Sequence, residues 1–270
     1  MSSERPGQWN MQDNEIRVFF LGDVIGKPGR KAVEQFIKGS DHDFFIINGE
    51  NLAGGIGITP KTALEILSLG VDAITTGNHV WKKKEIIPFL MGEQRVIRPL
   101  NYPNGTPGFG YSLIKKNNKS IYIVNIEGRV FMNHPECPFR TMEDFLNNIW
   151  IDRESPVIVD FHAEATSEKI AMGWFLDGRV SAVIGTHTHV QTSDWRVLPC
   201  GTGYITDAGM TGSVNSVIGM DKKAVLEKFI TLLPQKYEVG KEDVEVQGVV
   251  VTIDRQTKKC LQIDAIREKI

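Results

Sequence analysis

Histidine is scarce in this chain, six in 270 residues, yet two of them flank Thr188 in the stretch GTHTHVQ at 185–191. Residues two apart on an extended chain point to the same face, so His187 and His189 can reach toward one centre. Taken alone, the pair is as readily two solvated imidazoles at a strand end. The remaining chemistry-bearing residues decide between these readings. Asp23 ends the apolar run IRVFFLG, Glu50 and Asn51 follow DFFIING, Asn78 and His79 follow VDAITTG, and His162 ends SPVIVDFH. Four of the six histidines thus stand with two carboxylates and two amides at the ends of successive apolar runs; only His42 and His134 lie elsewhere.

Each of these residues has an ordinary structural role available to it. Asp23 can cap a turn, Asn51 and Asn78 suit turns because asparagine tolerates left-handed backbone, and His162 can be satisfied by a backbone carbonyl. Their joint occurrence at five strand ends favours a shared centre. Carboxylates, amides and imidazoles without cysteine form a nitrogen and oxygen donor set for iron, manganese or zinc rather than calcium. Asp23, Glu50, Asn51, Asn78, His162, His187 and His189 are too many donors for one tetrahedral zinc. They suit a binuclear site, in which ions about 3.5–4 Å apart activate a water and clamp a phosphoryl group. A carboxylate must lie between such ions, and Glu50 is the best placed. Two divalent ions outweigh two carboxylates, so the centre is cationic although the chain carries a net charge of −2. Screening beyond about 8 Å at physiological salt leaves the local field dominant.

The elements that position these residues are legible in turn. Strands are expected at 16–21, 43–49 and 71–79, and helices at 29–38, from the Thr59 N-cap and Pro60 to Gly70, and over the polar stretch 81–91. This alternation predicts a largely parallel sheet, whose strand ends gather ligands. The second half is richer in strands. Segments 109–115 and 119–128 read as a hairpin through Asn117 and Asn118, 155–162 and 179–185 as strands, and 141–149 and 165–176 as helices. Shorter strands at 194–199 and 203–209 precede a C-terminal hairpin of 245–254 and 260–268. The pattern is that of an α/β protein with two packed sheets and helices outside. One domain over 15–270 is expected, with 1–14 a disordered extension. Thr211, Ser213 and Lys84 read as solvated loop residues.

Composition narrows the partners. Hydrophobic residues make up 41% and charged residues 24%, as in ordinary globular proteins. There is no basic footprint for long nucleic acid, which leaves a small phosphorylated ligand. Cys137, Cys200 and Cys260 are scattered without a CxxC, against a disulfide framework or thiolate metal site. With no signal-peptide pattern and no membrane-length apolar run, a cytoplasmic protein with no membrane partner is expected.

In order, GD at 22–23, GEN at 49–51, GNH at 77–79, FH at 161–162 and GTHTH at 185–189 resemble the motifs of the calcineurin-like metallophosphoesterases. The departures narrow the resemblance. Ile25 stands where the usual Asp-x-His motif has its histidine, and Glu50 followed by Asn51 replaces the usual bridging aspartate. Together with GDVIGKPGR, NGENLAGGIGIT and TDAGMTG, they are similar to a bacterial subgroup acting as 2',3'-cyclic nucleotide phosphodiesterases, over nearly the whole chain from Met11.

That resemblance implies a four-layer α/β sandwich of two mixed β-sheets flanked by helices. It also implies two metal ions, iron or manganese with zinc or magnesium as alternatives, and often a homo-oligomer. By the same resemblance Asp23, Glu50, Asn51 and His189 hold one ion, and Glu50, Asn78, His162 and His187 hold the other. His79 is the implied proton donor. The expected reaction is in-line attack of metal-bound hydroxide on a small phosphodiester. A phosphomonoesterase or protein phosphatase on the same centre is the alternative enzyme, and a low-turnover regulatory metalloprotein the alternative of another class.

Overall fold

The computed structural model describes residues 14–148 and 154–270. The extension expected at 1–14 therefore lies outside the described residues, except for Asn14, whose side-chain amide donates to Asp254 (3.0 Å). In chain order the first elements are β1 (Glu15–Leu21), β2 (Asp23–Val24), α1 (Gly26–Ile37), β3 (Phe44–Asn48), α2 (Pro60–Leu67), β4 (Ala73–Thr75), a 3-10 turn (Val80–Lys82) and α3 (Ile86–Leu90). The middle of the chain adds β5 (Val96–Ile97), β6 (Tyr111–Lys116), β7 (Lys119–Glu127), α4 (Pro138–Asn148), β8 (Val157–His162), α5 (Thr166–Leu176) and β9 (Ala182–Thr186). The last are β10 (Arg196–Val197), β11 (Gly203–Ile205), β12 (Met210–Ser213), α6 (Lys222–Thr231), β13 (Val244–Asp254) and β14 (Cys260–Lys269).

These strands form two mixed sheets. One runs β2-β12-β13-β1-β3-β4-β5, with β14 also pairing β13; the other runs β10-β11-β9-β8-β7-β6. β1, β3, β4 and β5 are parallel, as are β7, β8, β9 and β11, so each sheet collects several strand C-termini at one end. Alternation along the strands sorts the side chains into layers. Ile16, Val18 and Phe20 of β1 pack with Ile121, Ile123, Ile158 and Ile184 of the opposite sheet. Phe19 and Leu21 pack instead with Ala32 and Val33 of α1 and with Ala63 and Ile66 of α2. On the far side Val124, Val159 and Phe161 meet Met142 and Phe145 of α4 and Met172 and Leu176 of α5. The result is helix, sheet, sheet, helix. Because full burial of one such side chain is worth about 1.5–3 kcal/mol, a one-residue slip of β1, which exchanges its faces, loses far more than it could regain.

The same period of two places chemistry between the sheets. Following Phe44 and Ile46, the inter-sheet face of β3 ends in Asn48. Beyond Ile158 that of β8 continues to Asp160 and His162, and after Ile184 that of β9 ends in Thr186. The sandwich interior is thus apolar in the middle and polar at one end.

Local expectations fared unevenly. Thr59 caps α2 in a reciprocal capping box with Thr62, and Asn117 and Asn118 both take the positive φ that a tight hairpin turn needs. The helix expected over 81–91 is instead the 3-10 turn followed by α3. Pro88 would sit inside the longer helix without an N–H to donate, whereas in α3 it falls in the first turn, where none is required. Thr211 and Ser213, read as solvated, are buried in β12, and the Ser213 hydroxyl donates to the Glu242 carbonyl. No helix among the described residues is long and apolar enough to cross a membrane.

Candidate metal centre

All eight residues singled out in the sequence meet at the polar end of the sandwich. Asp23, Glu50, Asn51 and His162 are buried, while Asn78, His79, His187 and His189 are partly exposed. Gly77 makes this approach feasible. A Cβ at that position would lie 2.3 Å from the His162 ring and 2.5 Å from Glu50 Oε2, so only glycine lets the GNH turn cross the floor of the site.

The histidine pair departs from the strand reading. β9 ends at Thr186, and His187 (φ 99°) and His189 (φ 65°) both take left-handed backbone. Such conformations cost of order 1–3 kcal/mol and persist only when neighbours enforce them. Here the enforcement is visible. The His187 N–H donates to Asp23 Oδ2 (3.0 Å), and the Thr188 N–H and hydroxyl both donate to Asp207 Oδ2 (3.1 and 2.8 Å). Asp207 is in turn paired with Lys169 (2.7 Å), each side chain only 1% exposed. The two rings reach different partners instead of sharing one face.

Glu50 joins two clusters of donor atoms. Atoms of Glu50, His162 and His187 lie within 4.8 Å of one another, and so do atoms of Asp23, Glu50 and His189. In the first cluster His162 Nε2 stands 3.2 Å from Glu50 Oε2, 3.0 Å from Asn78 Oδ1 and 3.1 Å from His187 Nδ1. The second has His189 Nε2 3.5 Å from Asp23 Oδ1 and 3.3 Å from Asn51 Nδ2. His79 belongs to neither cluster. Its Nδ1 lies 3.0 Å from both Glu50 Oε1 and Asn51 Oδ1, and its backbone N–H donates to Glu50 Oε2 (3.1 Å).

The imidazole partners test whether this set suits metal ions. A ligating histidine gives its other ring nitrogen to an acceptor, which fixes the tautomer and turns a lone pair inward. His162 Nδ1 meets the Thr186 hydroxyl (2.9 Å), which itself donates to Asp160 (2.6 Å). Likewise His189 Nδ1 meets the Ile218 carbonyl (2.9 Å), and His187 Nε2 meets Glu164 (3.1 Å). All three rings thereby aim a nitrogen at the clusters, where it can act as a donor once it carries no proton. The residues fit divalent ions.

The electrostatics agree. Burial tends to raise the Glu50 pKa, but ion pairing and hydrogen bonding with His162 and His79 hold it well below the ordinary value. Burial opposes charge on His162 and His189, yet Glu50 raises the former to about 10 and Asp23 the latter to about 9. His187 moves the other way, to about 3, through burial and the neighbouring His162 charge. Two buried carboxylates therefore draw protons into places where cations would serve.

Several site-building residues escaped the sequence reading. Asp160 and Thr186 orient His162, Glu164 meets His187, and Lys169 with Asp207 shapes the histidine loop. Lys169 did carry a signal: with Met172, Gly173 and Leu176 it lies on the buried face of α5 at helical spacing, where a lysine needs a carboxylate partner. Lys169→Met should leave Asp207 buried and unpaired, at a cost of about 3–5 kcal/mol. Denaturant unfolding and metal content per chain should both drop. Unchanged metal content in a destabilised variant would restrict the pair to a folding role.

Two mixed sheets with helices outside, and donors at the shared end of their strands, are the architecture of the metallophosphoesterases, hydrolases whose chemistry implies divalent metal ions. Residues 19–266 match the YmdB-like protein family, and the chain belongs to that family. It is 46% identical over 256 residues to the 2',3'-cyclic-nucleotide 2'-phosphodiesterase of Bacillus subtilis (strain 168), covering 93% of this chain and 96% of the relative. Among solved structures, a hypothetical protein from Thermus thermophilus superposes with a TM-score of 0.89 at 39% identity, covering 94% of this chain and 99% of that one. A Mycoplasma pneumoniae protein described as a novel phosphatase superposes at 0.88 and 34% identity, covering 95% of this chain and 94% of its own.

Proposed function

We propose that this protein hydrolyses 2',3'-cyclic nucleotides at a centre of two divalent metal ions. The observation that carries the reading is the position of Glu50, buried and shared by two donor clusters. The Bacillus subtilis relative's described activity supports the choice of substrate. Asp23, Glu50, Asn51 and His189 would hold one ion, and Glu50, Asn78, His162 and His187 the other. The nitrogen and oxygen set suits iron or manganese. When bound, the ions would lower the pKa of a water and neutralise charge on the phosphoryl oxygens.

The protein's own groups complete the reaction. Asn51 directs its amide nitrogen at Asp23 (3.4 Å), Glu50 (3.1 Å) and His189 (3.3 Å), the place a cation would take. Rotating that amide by half a turn presents its oxygen there, an exchange that leaves the side chain's shape unchanged. His79 stands outside both clusters with its Nδ1–H held by Glu50 Oε1 (3.0 Å), so it would donate toward substrate from Nε2 as the imidazolium, which carries a proton on each ring nitrogen. In hydrolysis a water oxygen bonds to phosphorus, the bond from phosphorus to one ribose oxygen breaks, and His79 gives that oxygen its proton. The proton lost by the water returns to the imidazole through solvent.

Parallel assays on 2',3'-cyclic AMP and on adenosine 3'-monophosphate test the reading. The diester should turn over and the monoester should persist as product. Faster cleavage of the monoester would favour the phosphatase reading instead, and metal-loaded protein without turnover would favour a regulatory role.

Metal uptake supplies a second test. His162 and His189 carry protons in the metal-free site up to pKa values of about 10 and about 9, and ligation requires both to be neutral. Loading at pH 8 should therefore release protons, measurable by calorimetry in buffers of different ionisation enthalpy. Affinity should rise with pH until these groups deprotonate. Uptake without proton release would show that other donors bind the ions.

A further inference from the structure

The loop leaving β7, at the same end of the sheet as His162, presents an aromatic ring to solvent. β7 and β8 are parallel, with Glu127 paired to His162, and the Gly128 N–H donates to the His162 carbonyl (2.9 Å). The next two N–H groups, of Arg129 and Val130, donate to the buried carboxylate of Glu168 on α5 (3.0 and 3.2 Å). Across the loop, Asn133 Nδ2 donates to Glu127 Oε1 (3.3 Å), while Glu127 Oε2 accepts from the Tyr102 hydroxyl (2.5 Å). That hydroxyl also lies 3.5 Å from the carbonyl of Gly77, the residue before Asn78. Both sides of the loop are thus tied to the backbone that carries candidate metal ligands.

At the tip, Phe131 is 90% exposed and has φ 62°. A bulky residue rarely adopts left-handed backbone, and the Phe131 ring joins none of the apolar clusters. Three residues span at most about 11 Å, so the Phe131 backbone lies within that distance of Gly128. An anchored, unpacked ring at the tip of a loop that leaves the backbone of a candidate ligand, His162, suits a flat heterocycle.

We propose that Phe131 is a stacking platform for the substrate's nucleobase, which makes the enzyme select cyclic nucleotides over base-free cyclic phosphodiesters. This rests on the phosphodiesterase reading above. Every base has a π-face, so the platform accepts all four. The ring touches the base and not the reacting phosphate, and it binds ground and transition states alike. Its loss should therefore raise KM and leave kcat nearly unchanged.

The test compares wild type, Phe131→Ala and Phe131→Trp on 2',3'-cyclic AMP and on glycerol 1,2-cyclic phosphate, which lacks a base. Phe131→Ala should raise KM for the nucleotide by about 5- to 150-fold, the range that corresponds to losing one base–aromatic stack. Phe131→Trp should restore it, and the base-free diester should respond to neither change. Equilibrium dialysis of adenosine 3'-monophosphate should show the same loss of affinity. An unchanged KM for the nucleotide, or equal losses on both diesters, overturns the assignment. So does a change in sedimentation with nucleotide KM intact, which would give the ring to a contact between copies of the chain. Wild type that cleaves both diesters equally well removes the platform but leaves the phosphodiesterase reading standing. Failure to cleave either diester removes that reading and this one with it.

Discussion

Glu50→Gln should abolish metal loading and diester hydrolysis together. The substitution keeps the side chain's shape and removes only its charge, at the atom pair shared by both donor clusters. Its two oxygens face His162 (3.2 Å) and His79 (3.0 Å), and the side chain is buried. Two cations held close together repel, and in a buried site solvent does little to screen them. Deleting one member of a buried charge set costs about 3–5 kcal/mol, equivalent to about 10²–10⁴-fold in metal affinity. Elemental analysis after dialysis should find the variant depleted, and turnover of 2',3'-cyclic AMP should fall by at least the same factor. Melting of the metal-free variant separates binding from folding. Two ions per chain with full activity in Glu50→Gln would show that Glu50 does not bridge.

The candidate residues were readable because the fold places them by simple rules. Fully apolar runs such as FFII of β3 must be buried on both faces, so their ends are conspicuous, and Glu50 and Asn51, just beyond Asn48 and Gly49, stand out in the sequence. The residues that aim those side chains are a different matter. Asp160 looks like one more polar residue inside a strand, and only the pairing of β8 with β9 brings it to Thr186 and hence to His162. The histidine loop escaped for the same reason. Its left-handed turns depend on Thr188 meeting Asp207 from beyond β11, a contact nineteen residues away along the chain. Other misses came from weak local signals. β2 has only two residues and exists because β12 pairs with it in parallel. α6 leaves Phe229 and Ile230 exposed, so it shows no apolar stripe to announce it.

The second large effect belongs to His79, which should act on the leaving group and hold no metal. Asn78 and His79 are neighbours, yet they face different ways. Asn78 Oδ1 meets His162 at 3.0 Å, while the His79 ring turns to Glu50 and Asn51 and stays out of both donor clusters. Its backbone N–H still donates to Glu50 when the ring is removed, so His79→Ala should keep its ions. What the variant loses is a proton source. An imidazole can donate a proton at physiological pH, and general-acid help is typically worth about 10²–10⁴-fold. A ribose alkoxide leaves poorly without that proton, whereas nitrophenolate leaves readily. His79→Ala should therefore lose turnover in that range on 2',3'-cyclic AMP and far less on bis-(p-nitrophenyl) phosphate. Metal content measured on the same preparations decides the outcome. Equal losses on the two substrates, or a missing ion, would assign His79 to substrate binding or to the metal centre instead of the leaving group.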